Sequence, residues 1–331
     1  MTTKISQWQR IALMAAGIST GMASMAGGQT LYQTHTDGSI WQYTGKPCKG
    51  TVCSGWIELD NNPHLKMIAA NSGEVYELHK DGSIWWYTGP ACSGGYCPGW
   101  VELDNNPLAV EIGVSNDILY EVHNDNSLWE YDGTVCSGGY CPGWYEMSGP
   151  YSASPTYVPS FGANGSLMAW LDPTGIIWLF GDAFGSWIPI DPQVWSFTAG
   201  QNALFVLTDN GLFQYTGTPN SLLQIDDNTT IKSIAAGSVL YQQRKDHSTW
   251  QYTGTSCGGG LCPGWLEIDD SATSGPPVAG TNTVYQIRRS TGNASIWQYN
   301  GTPCSGTVCS GWTKLDDNAA TKSIVAGPAT F

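Results

Sequence analysis

Asp37-Gly-Ser-Ile-Trp-Gln-Tyr-Thr-Gly45 decides the fold. It is followed by Cys48, Cys53 and the pair Gly55-Trp56, and the whole pattern returns as Asp81-Gly-Ser-Ile-Trp-Trp-Tyr-Thr-Gly89 with Cys92, Cys97 and Gly99-Trp100. A third copy carries Ser127-Leu-Trp-Glu-Tyr-Asp-Gly133, Cys136, Cys141 and Gly143-Trp144. Two more centre on Trp250 with Gly264-Trp265 and on Trp297 with Gly311-Trp312. A period of this length, built on strand-like units, is the signature of a repeat architecture.

Each unit reads as four short strands. In the second, Lys66–Ala70 is followed by a turn, Glu74–His79 by the tight Asp81-Gly82 turn, and Ser83–Tyr87 by the cysteine loop, before Trp100–Leu103 and the return at Asp104-Asn-Asn-Pro107. Asp-Gly between alternating apolar runs marks a hairpin, because glycine adopts positive φ at little steric cost. Third-strand aromatics at Trp41, Trp85, Trp129, Trp178, Phe213, Trp250 and Trp297 give seven units. The expected fold is therefore all-β, a single seven-bladed β-propeller of four-stranded antiparallel blades. Its units span approximately 22–65, 66–108, 109–158, 159–193, 194–230, 231–273 and 274–321, with 322–331 as a closing strand and the propeller as a whole covering 27–331. Units four and five lack the cysteine loop and are correspondingly short. Tyr145–Val158 reads as a Pro/Ser/Tyr-rich surface insertion.

Residues 1–26 have two readings. Lys4 and Arg10 ahead of an apolar run ending at Ala26 resemble a secretory signal. Alternatively, Met22–Gly28 supplies the inner strand of the first unit. Lys322-Ser-Ile-Val-Ala-Gly327, a copy of Lys232–Gly237 with no unit after it, competes for that same place.

Composition narrows the function classes. The 331 residues include 16 Trp, 16 Tyr and 41 Gly, only 12% are charged, and the net charge is −14. This acidity argues against nucleic acid and anionic membranes as partners. No apolar run is long enough for a membrane-spanning helix. Ten cysteines fall into five Cys-x4-Cys pairs: Cys48 with Cys53, Cys92 with Cys97, Cys136 with Cys141, Cys257 with Cys262 and Cys304 with Cys309. Local disulfides are the leading reading, because the two members of each pair appear and vanish together and no histidine lies in these loops to complete a metal site.

The Asp-Gly turn, the third-strand Trp/Tyr pair, the fourth-strand Trp and the small-residue first strand resemble tectonin-type repeats over nearly the whole chain. The cysteine loop and the longer period depart from that family. The resemblance implies a multivalent lectin that binds glycans or glycoproteins. Sugar recognition needs an aromatic face and a few fixed hydrogen-bonding groups. The expected sugar-binding residues are Trp41, Tyr43 and His35; Trp85, Tyr87 and His79; Trp129, Tyr131 and His123; Trp250, Tyr252 and Arg244; and Trp297, Tyr299 and Arg288. Each set would form one pocket between neighbouring blades. Core packing accounts for the same aromatics, and blade-interface hydrogen bonding accounts for the His/Arg column. The alternative function is a non-enzymatic protein-interaction or structural propeller, and an extracellular hydrolase ranks below both. No catalytic motif is present, so the chain reads as a non-enzyme. The carboxylate-rich turns at Asp60 and Asp104 would suit calcium, although Asx turns explain them. Disulfides point to secretion, with a cytoplasmic protein exported non-classically as the alternative. The oligomeric state is not legible in the sequence.

Overall fold

The computed structural model describes residues 30–71, 73–115, 118–147, 161–164, 167–171, 175–181, 188–190, 193–200, 203–218 and 221–327. The candidate signal or strand at 1–26, Trp187 and most of the 145–158 insertion lie outside them. Among the described residues the strands form seven four-stranded antiparallel sheets.

Six of these are contiguous in sequence. Blade two holds Leu65–Asn71, Glu74–His79, Ile84–Tyr87 and Trp100–Asp104, and blade three holds Ala109–Ser115, Ile118–His123, Leu128–Tyr131 and Trp144–Met147. Blade four comprises Phe161–Asn164, Leu167–Leu171, Ile177–Gly181 and Ile188–Ile190. Blade five comprises Val194–Ala199, Leu204–Thr208, Gly211–Tyr215 and Leu222–Asp226. Blade six comprises Ile231–Ala236, Leu240–Arg244, Thr249–Tyr252 and Trp265–Asp269, and blade seven comprises Val278–Ala279, Val284–Ser290, Asn293–Tyr299 and Trp312–Asp316.

The expectation of seven units running in simple succession from residue 22 is corrected at the remaining sheet: only six blades are contiguous, and blade one is composite. Its outer three strands are Leu31–His35, Ile40–Tyr43 and Trp56–Asp60, while its inner strand is Thr321–Ala326 from the other end of the chain. Thr321–Ala326 pairs antiparallel with the inner edge of Leu31–His35, which leaves that edge covered. First strands of successive blades adjoin all the way round, with Thr321–Ala326 between those of blades seven and two, so the array closes.

Burial follows from this stacking. A second strand such as Leu31–His35 is buried at all five positions, because both of its faces meet neighbouring blades. Leu31 and Tyr43 pack with Tyr285, Ile296 and Leu315 of blade seven, while Tyr32, Ile40 and Leu59 pack with Leu65, Ile68 and Val75 of blade two.

The quoted stretch makes the hairpin. Gly38 has φ of 94°, and a Cβ there would lie 2.2 Å from the Asn62 carbonyl oxygen, so glycine is required twice over. The Asp37 carboxylate accepts from the Ser39 amide at 2.9 Å and the Ser39 hydroxyl at 2.8 Å, and Ser39 Oγ accepts from Trp41 Nε1 at 2.9 Å. The same chain of bonds recurs at Asp81-Ser83-Trp85, Asp125-Ser127-Trp129 and Asp246-Ser248-Trp250. These hydrogen bonds hold each Asp carboxyl below the ordinary carboxylate range.

Candidate functional site

Strand alternation puts residues two apart on one face. In blade one that face, turned to blade seven, carries Gln33, His35, Trp41, Tyr43 and Trp56. The structure thus brings the sequence-predicted residues together on one side of each blade, and it also shows what each side chain contacts.

The third-strand tryptophans are half-buried. In the five blades that carry cysteine loops their indole N–H groups are taken by the hairpin serines, Trp297 using Ser295 at 2.8 Å. Trp41 stacks on His35 with ring centroids 5.6 Å apart, and Trp129 stacks on His123 at 5.0 Å. His79 lies tilted against Trp85 at 6.0 Å. In blades six and seven the guanidinium groups of Arg244 and Arg288 take the same role, 4.0 and 4.6 Å from the rings of Trp250 and Trp297.

The tyrosines two residues on sit deeper. Tyr43, Tyr131 and Tyr299 are buried and Tyr87 and Tyr252 half-buried, each packed on a fourth-strand tryptophan at 5.1 to 5.5 Å. Those fourth-strand tryptophans tie neighbouring blades together. Trp56 donates to the Leu315 carbonyl, Trp100 to Leu59, Trp144 to Leu103, Trp265 to Ile225 and Trp312 to Ile268, at 2.7 to 3.0 Å.

The histidines are engaged inside the blade interface. His35, His79 and His123 are all buried. Nδ1 of His35 and of His79 lies 3.2 Å from Ser39 and Ser83 Oγ, respectively. Nε2 of His79 and of His123 lies 3.3 Å from Asn62 and Asn106 of the preceding return turn. Burial lowers the His35 pKa. In His79 burial also works downward, but the hydrogen bond and charge of Glu77 outweigh it and the pKa is raised. Arg288 pairs with Asp269 of blade six at 2.8 Å, and Arg244 lies 3.8 Å from Asp226 of blade five.

Two further columns escaped the sequence reading. One is a buried Gln or Glu two residues before each His or Arg: Gln33, Glu77, Glu121, Gln242 and Gln286. Gln33 donates to Asp316 at 2.8 Å and Gln242 to Asp226 at 2.6 Å, each reaching back to the preceding blade. Burial raises both Glu77 and Glu121 to about 7.

The other column lies at the tips of the cysteine loops. All five expected disulfides form, joining Cys48 to Cys53, Cys92 to Cys97, Cys136 to Cys141, Cys257 to Cys262 and Cys304 to Cys309, with Cα atoms 4.1 to 4.2 Å apart. Each clamps a miniature hairpin such as Ser93↔Tyr96, and each anchors it by donating the first cysteine's N–H to a fourth-strand carbonyl of the preceding blade, as Cys92 does to Glu58 at 3.0 Å. The residue just before the second cysteine is apolar and projects outward: Val52, Tyr96, Tyr140, Leu261 and Val308 are 62 to 72% exposed. Both columns were legible as fixed offsets, from the His/Arg and from the second cysteine.

No protein-family model and no curated protein sequence matches the chain. Solved structures do resemble it. Prp20p from Saccharomyces cerevisiae superposes with a TM-score of 0.54 at 11% identity, covering 92% of each chain. Human WBSCR16 gives 0.54 at 10% identity, covering 92% of this chain and all (100%) of that one. YCF48 bound to a D1 peptide gives 0.50 at 9% identity, over 91% and 89% of the two chains. At such identities the likeness speaks for architecture alone, and with the sheet topology it makes this chain a β-propeller.

Proposed function

We propose that this chain is a non-enzymatic, multivalent protein-binding propeller that works in an oxidising, extracellular setting. The observation that carries the reading is the set of five clamped loop tips. Single exposed apolar residues are ordinary on a protein surface, but here the same loop position is apolar and exposed in all five disulfide-bearing blades. The disulfide and the anchoring N–H pre-organise each tip, which lowers the ordering cost of a contact. Repetition around the ring adds avidity. Three of the five tips are Val or Leu, which bury well against an apolar protein surface but offer no ring face to a sugar. The third-strand Trp and the His/Arg column, by contrast, are largely occupied with one another. Five disulfides agree with an oxidising compartment. Two structural neighbours are in line with a protein partner: Prp20p binds Gsp1p and histones, and YCF48 is bound to a D1 peptide. The net charge of −14 would steer a partner surface that is basic.

The test compares wild type with a variant in which Val52, Tyr96, Tyr140, Leu261 and Val308 are all serine. Chemical cross-linking in extracellular fluid from the source organism should capture proteins with wild type that the variant loses, at an unchanged melting temperature. Capture of the same proteins by both forms would overturn the proposal. So would a glycan-array signal that the variant retains.

A further inference from the structure

The Gln/Glu column divides the blades into two chemical types. In blades one and six a glutamine amide donates to the aspartate of the preceding blade, so that carboxylate has a hydrogen directed at it. In blade two Glu77 takes the glutamine's place, so two carboxyl groups face each other across the interface, Glu77 against Asp60. Asp60, Glu77 and His79 are all buried, and one ligand atom from each lies within 4.8 Å of the others. Glu77 is 2% exposed, and its Oε2 has no hydrogen-bond partner. Its other oxygen lies 3.0 Å from His79 Nε2.

The tautomer of His79 follows from its neighbours. Ser83 Oγ gives its one hydrogen to Asp81 at 2.8 Å and receives the Trp85 indole N–H at 3.1 Å. His79 Nδ1, 3.2 Å from the same oxygen, must therefore donate to it. Nε2 is then the nitrogen turned toward the two carboxyl groups; a proton shared with Glu77 at 3.0 Å occupies it, a divalent cation would displace that proton, and the Asn62 amide lies 3.3 Å away. Two carboxylates and an imidazole nitrogen, buried together, match the donor set that divalent zinc takes from His and Asp/Glu side chains. The serine at Nδ1 supplies the outer hydrogen bond that orients a ligating histidine.

The geometry points to a divalent transition-metal site at Asp60, Glu77 and His79 that ties blade one to blade two. This inference does not depend on the protein-binding reading. The two other groups of comparable spacing among the described residues, Glu102 with Cys136 and Cys141 and Asp226–Asp227 with Cys262, place their sulfurs in disulfides and offer no thiolate.

The full chain is stripped with a chelator and titrated with zinc chloride, following heat of binding and melting temperature in parallel for wild type and Glu77→Gln. The variant recreates the amide of blades one and six, so it should fold. Wild type should bind one more equivalent of zinc than the variant, and its melting temperature should rise by about 5 °C at a hundredfold excess over Kd while the variant's stays put. Asp60→Asn gives the same comparison from the other side of the interface. Cobalt(II) added to wild type gives a readout that needs no variant, with visible absorption from a nitrogen–oxygen site of low symmetry. Equal zinc binding by wild type and Glu77→Gln would overturn the site, leaving only adventitious binding to surface carboxylates. A wild type that binds no zinc, shows no cobalt band and melts below Glu77→Gln would also overturn it, the cluster then holding a proton in place of the metal.

Discussion

Replacing Trp312 with phenylalanine separates two roles that tryptophan plays in this ring. Trp312 is buried, donates to the Ile268 carbonyl of blade six at 2.7 Å, packs on Tyr299 at 5.5 Å and lies 5.2 Å from the Arg288 guanidinium. Phenylalanine keeps a ring on Tyr299 but removes the donor, so a buried carbonyl between blades loses its partner at a cost of about 1–3 kcal/mol. The lost ring atoms leave a void that adds about 1 kcal/mol. The sum is about 2–4 kcal/mol. Trp41→Phe is the control. Trp41 is half-buried and its indole bonds to Ser39 within its own hairpin, so the loss is that of one local hydrogen bond, about 0.5–1.5 kcal/mol. Equilibrium urea unfolding followed by tryptophan fluorescence measures both, with the m-value confirming that the same surface unfolds. Equal destabilisation by the two substitutions, or less than about 0.5 kcal/mol for Trp312→Phe, would refute the claim that fourth-strand tryptophans stitch the blades together.

Three other outcomes follow from named features. Truncation after Ala320 removes the inner strand of blade one, which pairs with Leu31–His35 and covers Leu31; the shortened chain should lose its near-UV circular dichroism and become protease-sensitive, and a protein still as cooperative as wild type would deny the closure. Cys92→Ser with Cys97→Ser opens a six-residue loop, for which chain entropy gives a loss of about 2 kcal/mol; thermal melts should show it, together with faster cleavage around the exposed Tyr96. Burial raises the Glu111 pKa to about 7, with Lys66 drawing it back only in part. An acid whose folded pKa is raised binds its proton more tightly folded than unfolded, so stability should fall as pH rises from its ordinary carboxylate range through about 7; Glu111→Gln should flatten that decline, measured by melts between pH 4 and pH 8.

Much of the architecture was readable from local rules. The Asp-Gly turn requires positive φ at Gly38 and Gly82, the alternation of the strands is short-range, and the cysteine pairs, from Cys48 with Cys53 to Cys304 with Cys309, lie too close in sequence to need a distant partner. Those features repeat, and a repeat of four-stranded units has few ways to bury its faces other than radial stacking. The candidate site was legible only as a set of columns. Sequence spacing put Trp41, Tyr43 and His35 on one face, but it carried no information on what that face meets.

The tertiary structure decided three things because each depends on contacts between distant residues. Thr321–Ala326 completes blade one because an unpaired inner edge and an unpaired strand meet at the seam, nearly three hundred residues apart in sequence. His35 and its counterparts are oriented toward the blade interface because the preceding blade's return turn supplies an asparagine there: Asn318, Asn62 or Asn106. Glu77, which in the sequence is one more polar residue in a strand, becomes a buried carboxylate facing Asp60 because blades one and two close over both. Asp37–Gly45 therefore specified its own hairpin and the repeat it belongs to, and the neighbouring blades determined which of its side chains remain available to a partner.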